Sequence, residues 1–208
     1  MSDYSPADNP ASALQQTGHS KTRFSSESIR VEERDEAAVL KVHSLRPVEE
    51  LSAALQQLGC DLPTHTGGAA GTDPALLCLR PGEWLLVSDT QSADSLLEAL
   101  GSALGSPETA LLDLSDGFAM FRLTGSGAGW LLSKLGGLDF QGSPDAGQYA
   151  ACTRMDHFAV VVHYHRPRGS GFVFDLLIER SLAPHLWSLL RESAPHADEL
   201  SREFGGLE

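Results

Sequence analysis

His163 and His165 stand two residues apart in a stretch that reads as a strand, so both imidazoles leave the same face, the spacing at which two ring nitrogens can meet one divalent metal ion. The sequence offers them no third ligand. Asp156 points the opposite way, and His157 lies about 20 Å off along an extended strand. The favoured reading is two exposed histidines on an outer strand face, and no metal ligand is assigned from the sequence. Asp113 and Asp116 could work as a carboxylate pair, but three residues apart at a strand end their side chains diverge, which makes them strand-end and turn residues. Ser115 lacks the GxSxG setting that exposes a nucleophilic hydroxyl and reads as a hairpin residue. The glycines of Gly125-Ser126-Gly127-Ala128-Gly129 imitate a phosphate-binding loop, yet the order departs from GxGxxG, and a tight entry into a helix is the competing reading. Asp175 sits in an apolar run and could pair with Arg154 or with Arg180, as a structural ion pair. No catalytic, cofactor-binding or metal-ligating residue follows from these patterns.

Leu111 to Ser115 and Phe118 to Thr124 read as strands joined at Asp116-Gly117, a strong hairpin signal, and lead into an apolar helix carrying Trp130, Leu131, Leu132 and Leu135. Upstream, Ser28 to Glu33 and Ala37 to His43 read as short strands that could pair around EERDE. Val48, Leu51, Leu55 and Leu58 mark a helix started by Pro47 and ended by Gly59. Cys60 to Asp73 reads as a loop, Leu76 to Leu79 and Trp84 to Ser88 as strands turned by Pro81-Gly82, and Gln91 to Leu104 as a helix. Tyr149 to Arg154, Phe158 to Tyr164 and Phe172 to Glu179 continue as strands, the last two forming a hairpin through RPRGSG. A final helix starts near Ser181 and is expected to stop before Pro195. Strands interleaved with helices and joined partly by hairpins indicate an α+β domain with helices packed on a largely antiparallel sheet. Residues 1–22 are expected to form a mobile arm, 23–196 one domain and 197–208 a tail.

The 208 residues carry 15 basic and 28 acidic side chains, a net charge of −13 that disfavours nucleic acid and anionic membrane as partners. Cys60, Cys78 and Cys152 are odd in number and far apart, and read as small buried hydrophobes in a reducing compartment. MSDYSPADNPASALQQTGHSKTR has no apolar core of a secretory leader, and no apolar run approaches the roughly 20 residues of a membrane span, so a cytoplasmic protein is expected. Trp84, Trp130 and Trp187 read as core, with Trp187 alternatively an interface anchor beside His185 and Arg191. Arg154, Arg166, Arg168 and Arg180 are the one positive grouping, a possible docking patch for an acidic partner surface.

Asp113-Leu114-Ser115-Asp116-Gly117, then Arg122-Leu123-Thr124-Gly125 and the apolar helix, resemble the gamma-subunit family of heterotetrameric sarcosine oxidases. Leu58-Gly59 with Leu62-Pro63-Thr64, the run Leu79-Arg80-Pro81-Gly82-Glu83-Trp84-Leu85-Leu86, Leu138-Asp139, and Arg180-Ser181-Leu182-Ala183 with Leu186-Trp187 follow in the family's order. Ser126 replaces the family's usual proline, and Gly136-Gly137 a stretch that more often holds cysteine. The resemblance implies a fold similar to the folate-binding region of aminomethyltransferases. It also implies a structural, non-catalytic role beside alpha, beta and delta subunits in oxidative demethylation of sarcosine to glycine, the methyl carbon going to tetrahydrofolate or formaldehyde as hydrogen peroxide forms. FAD, FMN, NAD and tetrahydrofolate would then sit on the large partner subunits and none on this chain. The alternative is a stand-alone folate or one-carbon binder.

Overall fold

Strand side chains point alternately to opposite faces, and here two sheets find cover for both of their faces. The computed structural model describes residues 23–56, 59–140, 147–165 and 172–204. The expected amino-terminal arm, the loop from Gln141 and the RPRGSG turn with Arg166 and Arg168 lie outside the described residues. In chain order the elements are β1 (Arg23–Ser25), β2 (Arg30–Glu33), β3 (Ala38–Ser44), α1 (Val48–Gln56), β4 (Ala69–Ala70), β5 (Ala75–Arg80), β6 (Glu83–Ser88), α2 (Ala93–Leu104) and β7 (Thr109–Asp113). A 3-10 turn over Ser115–Gly117 leads to β8 (Phe118–Thr124), α3 (Ala128–Leu135), β9 (Tyr149–Met155), β10 (Phe158–His165), β11 (Val173–Glu179) and α4 (Ala183–Phe204).

One sheet runs β1-β2-β8-β11-β10-β9, the other β4-β5-β6-β3-β7, and every pairing is antiparallel. Three apolar layers result. Phe121, Leu123, Val160, Val162, Phe174, Leu176 and Ile178 of the first sheet pack against Leu131 and Leu132 of α3 and Leu186, Trp187 and Leu190 of α4. Leu40, Val42, Leu76, Trp84 and Leu86 of the second sheet pack under Leu51 and Leu55 of α1 and Leu96, Leu100 and Leu104 of α2. Between the sheets lie Val39, Leu77, Leu85, Val87, Met120 and Leu177. The order is therefore helices, sheet, sheet, helices, and each fully buried large apolar side chain adds roughly 1.5–3 kcal/mol.

Four expectations are corrected by this arrangement. β2 and β3 do not pair; they belong to different sheets, with EERDE as the passage between them. Asp116-Gly117 is likewise a passage, since β7 pairs with β3 while β8 pairs with β2 and β11. Leu111 packs toward α1 and α2 while Phe121 packs toward α3 and α4, so no hairpin could serve both layers. The loop after Cys60 contributes β4, paired with β5. Finally, α4 continues through Pro195 to Phe204 and takes in residues expected to be tail. The proline forfeits one backbone bond to the exposed Arg191. The buried stripe Leu186, Leu190, Ala194 and Ala197 keeps the helix going.

That last turn also carries Asp198, which the sequence reading overlooked. Its carboxylate accepts hydrogen bonds from Ser26 Oγ at 2.9 Å, Ser28 N at 2.9 Å, Ser28 Oγ at 2.5 Å and Glu27 N at 3.3 Å, and so ties the β1–β2 connection to α4. Ser28 is also why the glycine corner is closed. Gly125 holds φ +115°, where a Cβ would lie 2.1 Å from Ser28 O, and a Cβ on Gly127 would lie 2.1 Å from Ser28 Oγ. Burial by itself would raise the Asp198 pKa, but the bonds from Ser28, Ser26 and Glu27 hold it below the usual carboxylate range. A depressed carboxyl contributes its stability above its ordinary pKa and loses it as pH falls through the folded value. Asp198→Ala is expected to cost about 2–4 kcal/mol in urea unfolding at pH 7, and a loss under ~1 kcal/mol would show that the clamp is not structural.

Candidate functional site

The first sheet turns Met120 and Arg122 of β8, Val173, Asp175 and Leu177 of β11, and Val161, His163 and His165 of β10 toward the second sheet, because these positions share strand parity. Register sets Arg122 opposite Asp175 and Asp175 opposite His163. Arg122 grips the carboxylate in two places, Nε donating to Oδ1 at 2.7 Å and Nη2 to Oδ2 at 2.8 Å. From the other side His165 Nε2–H donates to Oδ2 at 3.0 Å. The remaining nitrogen of Arg122 lies 2.9 Å from Asp89, just past β6 of the second sheet. Asp89 in turn meets Arg34 at 3.1 Å, and Arg34 meets Glu32 at 2.8 Å. His163, stacked on His165 with centroids 4.8 Å apart, places Nε2 3.3 Å from Gln148 Oε1.

The side chains of Asp175 and His163 are only 4% and 3% exposed, so their protonation is set by this surround. Burial would raise the Asp175 pKa, yet the hydrogen bonds from His165 and Arg122 and their charges outweigh it and bring the carboxyl to about 2. Burial dominates His163 and, with repulsion from His165, lowers it to about 4 against the pull of Asp175. At neutral pH the centre therefore holds an ionised Asp175 and a neutral His163. Two of the earlier expectations change here. The histidine pair is buried between sheets instead of exposed on an outer face, and the partners of Asp175 are Arg122 and His165 instead of Arg154 or Arg180. One signal was available: Asp175 alone interrupts the apolar run from Phe172 to Ile178, and a buried carboxylate requires a cation.

The remaining candidates do not gather. Arg154 is exposed and donates to the His157 carbonyl at 2.8 Å. Arg180 donates to the carbonyls of Asp116 at 2.7 Å and Ser115 at 3.2 Å, stapling the passage between sheets. Trp187 is not an interface anchor: it is 2% exposed and lies edge-on to Phe24 at 5.2 Å and against Phe121 at 5.7 Å. Trp130 is half-buried against Phe204. Ser115 accepts from Val39 N and donates to Asp113, so its hydroxyl is a turn element. Of the cysteines only Cys78 is buried, and Cys152 is exposed.

On the same inner face, toward the start of β10, the sheet emerges from cover. Cys152, Arg154, Ala159 and Glu179 are exposed there. A groove of about 580 Å³ opens among Phe118, Phe158, Val161, Leu177 and Leu182, its polar lining made by Asp156, Glu179, His157 and His185. The glycine corner does not suit a nucleotide phosphate, because Gly127 N–H donates to Ser28 O and Ser28 fills the space a phosphate would need.

The two perturbed groups fix how stability varies with acid. The unfolded His163 has the ordinary pKa of 6.5, so its neutral burial stabilises the fold fully above that pH and progressively less as pH falls to about 4, where the folded imidazole protonates. About 3 kcal/mol is expected to be lost over this window, and His163→Phe should flatten the slope in denaturant titrations at successive pH values. Asp175 adds a separate loss between its ordinary 3.8 and about 2. Asp175→Asn, which leaves Arg122 with Asp89 alone, should cost about 3–5 kcal/mol at pH 7, and a neutral substitution would refute the network.

Comparison with known proteins agrees with this architecture. No curated protein sequence matches the chain. A chain of the heterotetrameric sarcosine oxidase from Corynebacterium sp. U-96, solved in complex with pyrrole 2-carboxylate, superimposes with a TM-score of 0.74 at 22% identity, covering 89% of this chain and 95% of that one. The glycine cleavage system aminomethyltransferase T from Bartonella henselae superimposes with a TM-score of 0.54 at 18% identity over 87% of this chain and 49% of its own length. This chain thus spans about half of that aminomethyltransferase, and shares its fold. The sequence itself matches the sarcosine oxidase, gamma subunit family over residues 47–196, from the start of α1 well into α4. Since that match takes in most of the chain, the protein belongs to the sarcosine oxidase gamma subunit family.

Proposed function

We propose that this chain is the structural gamma subunit of a heterotetrameric sarcosine oxidase, assembling with alpha, beta and delta subunits and performing no bond-making itself. Membership of the gamma subunit family over residues 47–196 carries the reading. The assembled enzyme would demethylate sarcosine oxidatively to glycine, with FAD, FMN, NAD and tetrahydrofolate held by the large subunits. The side-chain chemistry is consistent with such a role: Arg122, Asp175, His165 and Asp89 are engaged with one another, and Ser115 and Asp113 are engaged in a turn. No helix among the described residues is long and apolar enough to cross a membrane.

The exposed inner face around Ala159 supplies the docking surface in this proposal. It is apolar, concave and uncovered in the single chain, and the exposed Arg154 of β9 stands beside it, donating to the carbonyl of His157 in its lining. Co-expression with the flavin-bearing subunits should recover this chain in a stable complex. Ala159→Arg, a change at an exposed strand position, should reduce recovery at least ~10-fold, equivalent to roughly 1.4 kcal/mol, without lowering the melting temperature. Undiminished recovery would move docking to another face. Turnover of sarcosine by the purified chain alone, or saturable tetrahydrofolate binding to it, would overturn the structural role.

A further inference from the structure

The histidine pair lacked a third ligand in the sequence, and the fold provides one. Asp175, brought from β11 by register, joins His163 and His165 so that one ligand atom from each lies within 4.8 Å of the others. We propose that His163 Nδ1, His165 Nε2 and Asp175 Oδ2 form a binding site for one divalent first-row transition ion of the Zn²⁺ class, staple-like between β10 and β11. Zn–N and Zn–O bonds near 2.0 Å give a tetrahedral ligand edge of about 3.3 Å. The His165–Asp175 edge is 3.0 Å, the His163–Asp175 edge 4.0 Å and the edge between the two histidines within 4.8 Å, so seating an ion asks the rings to close by up to about 1.5 Å.

Three further features fit. If Nδ1 of His163 faces the ion, its other nitrogen is the one that donates to Gln148 Oε1 at 3.3 Å, the outer hydrogen bond that fixes tautomer and ring orientation in a ligating histidine. Asp175 Oδ2 already accepts from Arg122 Nη2 and from His165 Nε2. The ion takes the place of the His165 proton between Nε2 and Oδ2. The ring keeps a proton at His165 Nδ1, supplied by exchange with water, so that Nε2 presents its lone pair to the ion. Arg122 keeps its grip and orients the carboxylate from behind. Its charge is balanced within the row, where the guanidinium groups of Arg30, Arg34 and Arg122 face the three carboxylates Glu32, Asp89 and Asp175, with Arg30 at the outer end beside Glu32. Entry is from the His165 side, where that side chain is 17% exposed.

The test uses the full chain, stripped of metal and free of appended histidines. Titration with Zn²⁺ against a chromophoric chelator should show one equivalent bound per chain, with a rise in melting temperature. His163→Gln and His165→Gln should each abolish that equivalent, and Gln148→Ala should weaken it about 10- to 100-fold. His43→Gln and His157→Gln, which change histidines elsewhere, should leave it intact. Near-ultraviolet circular dichroism without metal checks that the variants fold. Independently of any variant, the histidine side-chain ¹⁵N resonances of the unaltered protein should shift at His163 Nδ1 and His165 Nε2 on adding Zn²⁺. Absence of a stoichiometric equivalent, or binding that survives both variants, or resonance shifts confined to other histidines, would overturn the site.

Discussion

Everything between the two sheets is arranged around the need to satisfy one buried carboxylate. Asp175 sits in the middle strand of β8-β11-β10, where Arg122 on one side and His165 on the other bring it hydrogen-bond donors. Because strand side chains alternate, slipping β11 by one residue would drive Asp175 into the apolar layer under α4 and bring Phe174 or Leu176 into the ionic one. Such a slip strands a charge in an apolar medium, with Arg122 left unmatched on the opposite face. The ion pair thus discriminates against wrong registers, while its net contribution over an apolar filling of the same volume is small. Asp89 extends the same constraint to the second sheet through Arg122, so the network fixes how the two sheets meet as well as how the strands of one align.

A second polar clamp acts at the periphery by a related logic. Asp198 gathers two backbone N–H groups and two hydroxyls from Ser26 to Ser28, a connection with few apolar contacts to hold it. Ser28 then fills the space over Gly125 and Gly127. Helix α4, the β1–β2 connection and the entry to α3 are therefore locked by one carboxylate. Loss of side-chain bulk at the glycines is what lets the backbones come that close.

Much of this was legible in the sequence, and the gaps have a common cause. Helix α2 declared itself through Leu96 and Leu100, and Ser92 caps it as a residue of its type should; the turn at Pro81-Gly82 and the pairing of β10 with β11 also join neighbours in the chain. Alternation shows that Leu111 and Phe121 each have a buried side, but it does not tell which layer either side faces. Two sheets were consequently read as one, and the passages at EERDE and Asp116-Gly117 as hairpins. Gly117 does not even adopt the positive φ that an Asp-Gly hairpin turn would use. The partners of Asp175 were hidden for the same reason: Arg122 is far away along the chain, and only the pairing of β11 with β8 brings it there. Pro195 misled because a local backbone penalty was weighed without the buried stripe on which α4 lies.

The charge of the chain bears on how such a subunit can associate. At −13 overall, the chain repels an acidic partner, and with a Debye length near 8 Å at physiological salt that repulsion is screened at longer range and felt once the surfaces are close. Contact must then come from a surface whose attraction is short-ranged and insensitive to salt. The groove at the open end of the inner face has that character, with the partly exposed Phe118, Phe158, Val161 and Leu182 lining a concavity over the buried Leu177. The division of labour within one face follows: its ionic end is buried against the second sheet, where it sets register, and its apolar end is left open, where burial against another protein releases water without stranding a charge.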